Sequence, residues 1–389
     1  MAPPRKPEIT EKQLQGFKYF KLLGALLERL HDAGTPRDRA HNRKLFFDQY
    51  AALLLLFFFN PIVTSLRAIQ RASHLTKVQE VLHCRRVSLG ALSEAAGVFD
   101  AGRLQEIIGE LASLVPSPAV AHEREALRGL TAVDGSLLPA LPRMAWALWV
   151  DEKHRAAKMH LAFEVLRGIP AHVSITEGNG SEKDQLRVML EAGRLYVIDR
   201  GYAEYELFQE IVDAGSSFIG RIRDNAVWEL IDQRPVSEQA RAAGVRRDLV
   251  VWLGSNKSAK AFKQPVRVLE VVTGKTDSRG QPEVLLLATD RMDLDAELVA
   301  LGYKFRWTVE LFFRWFKCIL GCRHLLSDSQ NGVEIQVYLA IIASLLISLW
   351  TGRKPTKATF EMIRFYFIGW ASEEELLKHI ESLKMHAQE

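Results

Sequence analysis

Tyr303-Lys-Phe-Arg306-Trp-Thr-Val-Glu310-Leu-Phe-Phe-Arg-Trp-Phe-Lys317 is a stretch without Gly or Pro whose charged residues recur at helical spacing. At about 100° per residue, Arg306, Glu310 and Lys317 fall within roughly 40° of one another, with Tyr303 beside them. Trp307, Leu311, Phe312, Trp315 and Phe316 occupy the opposite arc. The spacing therefore predicts a helix buried on its aromatic side that presents a narrow Tyr-Arg-Glu-Lys stripe. A carboxylate between an arginine and a lysine has two readings. One is a stripe of i,i+4 ion pairs. The other is a metal-binding carboxylate flanked by cations that grip phosphates, Arg through its planar fork and Lys as a point charge. The choice between them rests on what lies upstream.

The chain has 389 residues and is 48% hydrophobic, enough to bury sizeable cores in two or three domains and to exclude a disordered chain. Cys84, Cys318 and Cys322, with no apolar leader after Met1, predict a reducing intracellular setting. Cys318 and Cys322 with His324 nearby lack a fourth ligand, so no zinc site is expected. The longest apolar runs, Ala51 to Phe59 and Val337 to Trp350, are shorter than the roughly 20 residues of a membrane span and read as core helices. Net charge is +4 but uneven: residues 1–90 hold 15 Lys and Arg against 7 Asp and Glu, and the remainder 36 against 40. A basic N-terminal region is the electrostatic footprint of a nucleic-acid binder, though a soluble domain with a few extra lysines looks the same.

That region reads as helices: about 41–59, then Ile62 to Ala72 behind an Asn60-Pro61 cap, displaying Arg67 and Arg71, then Leu75 to His83. Ser88 opens a short helix and Asp100 caps a longer one to about Ser113, an arrangement like a helix-turn-helix. Strands follow Pro116 and Pro118. Leu130 to Asp134 is a short strand stopped by a turn at Gly135, leaving Asp134 at its tip. Lys158 to Val165 and Ala171 to Thr176 form a hairpin, with Lys158 and His160 on one face, either toward a site or in the core. A helix Glu182 to Ala192, a strand ending on Asp199, a helix Ala203 to Ala214 and a strand at Phe218 complete an α/β pattern. Residues 224–293 are a strand-rich insertion. After the opening helix, closed by Gly321, come helices at Val333 to Trp350 and Ala358 to Trp370, and a last one begun by the capping box Ser372-x-x-Glu375.

Three acids stand out: Asp134, Asp199 and Glu310. Hard divalent cations take oxygen ligands, and two of them about 3.5–4 Å apart serve phosphodiester chemistry. Val133-Asp134-Gly-Ser, Ile198-Asp199-Arg-Gly-Tyr202 and Tyr303-x2-Arg306-x3-Glu310-x6-Lys317 resemble the DDE transposases of the insertion-sequence-4 family, over residues 130–317. The resemblance implies an α/β, ribonuclease-H-like (retroviral-integrase-type) catalytic core at 116–332 with a β-rich insertion. It places a helical DNA-binding region at 1–115 and a helical C-terminal region at 333–389. It implies cut-and-paste DNA transposition: hydrolysis at transposon ends, a hairpin in some members, and attack of the freed 3′-hydroxyl on target DNA. Asp134, Asp199 and Glu310 would hold two Mg²⁺ ions, for which Mn²⁺ would substitute. Tyr303, Arg306 and Lys317 would grip phosphates at the cleaved end. The resemblance assigns no single DNA contact in the N-terminal region; the expectation that Arg67 and Arg71 bind DNA rests on the basic charge there. Hairpin-forming members stack a flipped base on an aromatic residue; Trp228 and Trp252 are candidates by position, and the packing reading is the stronger one for each. The partners implied are double-stranded DNA (terminal inverted repeats and target) and a second copy of the chain on DNA, with no membrane, in the bacterial cytoplasm at the nucleoid. A ribonuclease-H-like endonuclease that does not join ends would use the same acids, and an inactive DNA-binding regulator would have lost one.

Overall fold

The computed structural model describes residues 22–33, 37–38, 43–117, 122–141, 143–147, 154–254, 262–276, 280–319, 321 and 324–385. Helix α1 (Phe47–Phe59) begins where the Gln49 side chain accepts the Phe46 N–H; residues 41–42 of the helix expected there lie outside the described residues. Asn60 caps only a turn, at Ile62 N, and Ser65 Oγ then caps α2 (Leu66–Ala72) at Ala68 N, four residues later than expected. Helices α3 (Thr76–Val81), α4 (Leu89–Val98) and α5 (Gly102–Leu114) follow. In the helix-turn-helix-like pair α4 and α5, the second helix buries Leu104, Ile107, Ile108 and Leu111, and it packs against a long C-terminal helix and the sheet. Its outer face is paired, Arg103 with Glu106 and Glu110 with Arg29.

The sheet begins with β1 (Leu130–Pro139), β2 (Ala156–Glu164) and β3 (Ile169–Glu177), an antiparallel meander. Helix α6 (Glu182–Val188), capped by Ser181, leads to β4 (Leu195–Ile198), and α7 (Tyr205–Asp213) leads to β5 (Ser217–Arg221). β4 is parallel to both β1 and β5, and all four of its residues are buried, as an apolar run covered on both faces should be. The insertion adds β6 (Trp228–Arg234), the short helix α8 (Glu238–Ala242), β7 (Val245–Leu253), β8 (Val266–Thr276) and β9 (Pro282–Thr289). Strand β9 pairs with β5, giving one nine-stranded sheet in the order β3-β2-β1-β4-β5-β9-β8-β7-β6. The insertion thus extends the sheet, because an unpaired edge on β5 would strand a row of backbone donors and acceptors. Strand β6 escaped the sequence reading because its residues, largely exposed, lack an apolar alternation.

Two expectations are corrected. β1 does not stop at Gly135; pairing with β2 continues to Pro139, so Asp134 lies within the strand, opposite Leu161. The continuous helix over 303–317 is broken into α9 (Ala296–Lys304), a turn at Phe305-Arg306, α10 (Trp307–Arg314) and a π-turn at Trp315–Ile319. Val309, Phe312, Phe313 and Phe316 face the core, whereas Trp307 and Leu311 are each 51% exposed. Of the residues expected on the aromatic side, Phe312, Trp315 and Phe316 are buried, while the buried arc is centred on Val309 and Phe313 rather than on Trp307 and Leu311.

Helix α11 (Gln330–Thr351), capped by Ser329 Oγ and ended by Gly352 at φ +70°, is long and apolar enough to cross a membrane. Here 94% of that apolar window is buried inside the protein, against α1, α4, α5 and β3. Helices α12 (Lys357–Phe367) and α13 (Glu373–Met385) close the chain; Ser372 and Glu375 form the expected capping box, Glu375 N donating to Ser372 Oγ and Ser372 N to Glu375 Oε2.

Gly129 starts the β1–β4 pairing: its carbonyl accepts Leu195 N–H, its φ is +76°, and a Cβ there would stand 2.8 Å from Gly193 O. Gly129→Ala should cost about 1–3 kcal/mol in urea unfolding. Gly274→Ala, with nothing within 4 Å of the added carbon, should cost under about 1 kcal/mol. Equal midpoints for the two variants would contradict the strain at Gly129.

Candidate active site

Parallel pairing aligns Leu130 with Leu195, Thr131 with Tyr196 and Ala132 with Val197. Two residues further along each chain stand Asp134 and Asp199, on the same face as Ala132 and Val197, with neighbouring strands about 4.8 Å apart. β4 ends at Ile198, so the backbone beside Asp134 is left open, and Asp199 turns into a short 3₁₀ turn by accepting Gly201 N–H at 2.7 Å. Asp134 accepts the N–H of Gly135 at 2.8 Å.

Helix α10 lies across β1 on this face. Arg306, 12% exposed, places Nη1 3.7 Å from Asp134 Oδ2 and Nη2 3.1 Å from Glu310 Oε1. Asp199 and Tyr303 also act on its charge, and burial pushes the Tyr303 phenol up. Lys317 Nζ donates to Ser136 Oγ at 2.7 Å, and Ser136 shares the face of Asp134 two residues on. The three acids, Tyr303, Arg306 and Lys317 are therefore drawn to one region even though the helix is broken, because the turn at Arg306 and the π-turn at Lys317 both sit over β1. The lead into α9 is pinned by Arg267, which pairs with Asp248 at 2.6 Å and donates to the carbonyls of Arg291 and Leu294.

Some residues here had no sequence signal. Glu182, at the start of α6, lies over Gly135 so closely that a Cβ there would be 2.7 Å from its Oε1; it pairs with Lys158 at 3.2 Å. Only the fold brings this fourth acid near Asp134. Ser136 could have been found, since it follows Asp134 by two in a strand. His160 is a core residue: buried, bonded through Nε2 to Thr176 Oγ1 at 2.8 Å, and pushed down to about 4 by burial and by Lys158. Arg67 and Arg71 are exposed on α2, on a different element from the acids. Trp228 and Trp252 lie on the outer strands β6 and β7. An exposed aromatic residue, Trp307, lies beside Arg306, whose guanidinium carbon stands 5.5 Å from its ring centre. It lines a cavity of about 630 Å³ with Arg221, Lys275, Glu283, Tyr303 and Arg306, and Lys275 Nζ stands 5.2 Å from its ring centre. The buried Nε atoms of Arg221 and Arg306 lack hydrogen-bond partners.

Among the described residues no three His, Cys, Asp or Glu side chains form a metal-binding group. The donors nevertheless suit a hard cation: they are all carboxylates, one within β1 and one immediately past the end of the adjacent β4. Burial raises the Asp134 carboxyl to about 6, opposed by Gly135 N–H and Arg306 and reinforced by the charges of Asp199 and Glu182. The site thus holds concentrated negative charge with Arg306 as its internal counter-ion.

Residues 125–346 match the Transposase DDE domain family. Over 244 residues the chain is 29% identical to the inferred transposase y4zB of Sinorhizobium fredii, covering 62% of this chain and 66% of that protein. Over 268 residues it is 26% identical to the inferred transposase for insertion sequence element IS5377 of Geobacillus stearothermophilus, covering 67% and 68%. The first match thus spans just under two thirds of the relative's own length. The structure of a piggyBac transposase synaptic complex with hairpin DNA aligns at a TM-score of 0.45 and 11% identity, over 96% of this chain and 84% of that one.

Asp134 offers a test independent of activity. Its folded value near 6 exceeds the ordinary 3.8, so ionising it opposes folding: the cost is absent below about pH 3.8 and complete above about pH 6. Asp134→Asn, which keeps an acceptor for Gly135 N–H, should stabilise the metal-free protein at pH 8 by up to about 3 kcal/mol and far less at pH 4. Adding Mg²⁺ at pH 8 should raise the melting temperature of the wild type and much less that of the variant. Thermal melts with identical wild-type and variant midpoints at both pH values would refute the raised, burial-strained Asp134 carboxyl.

Proposed function

Because the chain belongs to the DDE transposase family, we propose that it is the transposase of an insertion sequence of the insertion-sequence-4 type, working by cut and paste. The observation that carries this reading is the register that sets Asp134 beside Asp199 beneath the Arg306–Glu310 pair. The strand order β3-β2-β1-β4-β5, with β4 parallel to both neighbours, supports a ribonuclease-H-like core. Its substrates would be double-stranded DNA at the element's terminal repeats and at the target, handled in the bacterial cytoplasm by a dimer. Residues 1–115, with Arg67 and Arg71, would contribute to end binding, and residues 333–389 would form a helical C-terminal region around the catalytic domain.

Asp134, Asp199 and Glu310 would hold two Mg²⁺ ions, which would activate the attacking oxygen and stabilise the leaving one. The chain's own residues bind and orient the phosphate. Arg306 has a planar fork whose Nε is unused, and Lys317 lies over the same strand, so both can turn to phosphate oxygens. As Arg306 takes up a phosphate it releases Asp134 and Glu310 from its own charge. Ser136 holds Lys317 in place meanwhile. If an end base is turned out of its stack, the exposed face of Trp307, with Lys275 above it, is better placed to receive it than Trp228 or Trp252.

Purified protein, a duplex carrying the element's own end, a target plasmid and Mg²⁺ should yield joined products, and Glu310→Gln should yield none. Cutting without joining would leave an endonuclease, and no cutting would overturn the reading. Arg306→Lys keeps the charge and loses the fork. It should fold normally yet cleave pre-nicked ends about 10- to 150-fold more slowly, the loss of one charge-assisted contact. Wild-type rates from it would reduce Arg306 to a counter-ion.

A further inference from the structure

β4 and β5 pair so that Ile198 faces Gly220, which brings Arg221 opposite Asp199 one step on. Beyond this point the alternation of side chains divides the end of β5 between the two faces of the sheet. Arg221 turns to the face of Tyr303 and Arg306 and lines the cavity beside Trp307. Ile222 is buried on the opposite face and begins a second recess, of about 460 Å³, with Lys183, Glu204, Tyr205, Arg223 and Asn225. A further hollow of about 420 Å³ adjoins it, sharing Arg223 and Asn225 and reaching Arg200, the residue after Asp199. Both recesses lie outside the carboxyl ends of the parallel strands, where ligands of open α/β sheets bind.

The charges here are not fully matched. Lys183 pairs with Glu204 at 3.0 Å, and Arg200 lies 3.7 Å from Asp224. Arg223 is exposed and forms no ion pair with any described acid. The surplus is thus one guanidinium, with the Asn225 amide beside it. The acids accordingly stand between two recesses on opposite faces of the sheet, one occupied by Arg306 and its neighbours and one by Arg223.

We propose that the Arg223–Asn225 cleft binds the sugar-phosphate backbone of the target strand, on the far side of the acids from the transposon end. This rests on the proposed function, which supplies an end held by Arg306 and Lys317 and a second DNA segment to be joined to it. A phosphate in the active site belongs to a strand that must leave in two directions. The face of α10 receives one. The cleft is the other opening, one strand away from Asp199. Arg223 offers phosphate a fork and Asn225 an amide donor, contacts that position a backbone without reading its sequence.

The test uses pre-cleaved transposon ends with a free 3′-hydroxyl and a labelled target duplex in Mg²⁺. Arg223→Gln should bind the pre-cleaved end as the wild type does and join it to target about tenfold more slowly, while Arg223→Lys keeps most of the joining. Joining by Arg223→Gln at the wild-type rate overturns the proposal. So does an equal fall in end binding, which would put the cleft with the transposon end. If the wild type joins nothing, the proposed function falls, and binding of a labelled non-specific duplex still decides the cleft. A salt slope smaller by about 0.9 in Arg223→Gln supports a phosphate contact there, and identical slopes overturn it.

Discussion

The parallel pairing of β1 with β4 is the constraint on which the rest of the structure depends. Three aligned residues, Leu130 to Ala132 against Leu195 to Val197, fix where Asp134 and Asp199 stand relative to each other. A slip of one residue would turn one acid to the opposite face of the sheet. The register is held by burial on both faces: Ala132 and Val197 lie in one core, Tyr196 and Ile198 in the other. Two apolar layers thus specify the geometry of a polar site that neither of them contains.

Concentrating carboxylates at that point is costly, and the fold offsets the cost locally. Arg306 reaches Asp134 and Glu310, and Lys158 holds Glu182. Because Arg306 is nearly buried, its removal would leave uncompensated acids, a loss of about 3–5 kcal/mol where such pairs are closed off from water. The same guanidinium keeps one nitrogen without a partner. The side chain that compensates the acids is thus also the one proposed to take up the phosphate.

The insertion and the helices serve this region at a distance. β9 seals the edge of β5 and carries the sheet outward, while the buried Arg267–Asp248 pair anchors the segment that enters α9. On the other side α11 is enclosed by α1, α4, α5 and β3, so α5 spends its apolar face on packing and has no free basic surface. Trp307 and Leu311 lie on the side of α10 away from Val309 and Phe313, and that exposure leaves an aromatic ring lining the cavity.

Much was legible in the residues themselves. Alternating and continuous apolar runs marked most strands, cap residues such as Ser88 and Ser372 marked helix starts, and the spacing of Tyr303, Arg306, Glu310 and Lys317 put four polar groups on one side. These are local properties, set within one or two turns or one strand, so sequence alone determined them. What it could not determine arises from contacts between distant segments. The continuation of β1 past Gly135 depends on β2, the joining of the insertion to β5 depends on β9, and the break at Arg306 depends on packing across β1. Glu182 and Arg223 carry no motif, and only the tertiary structure brings them beside Asp134 and Asp199, because strand register and helix packing, not spacing along the chain, set which charges share a site.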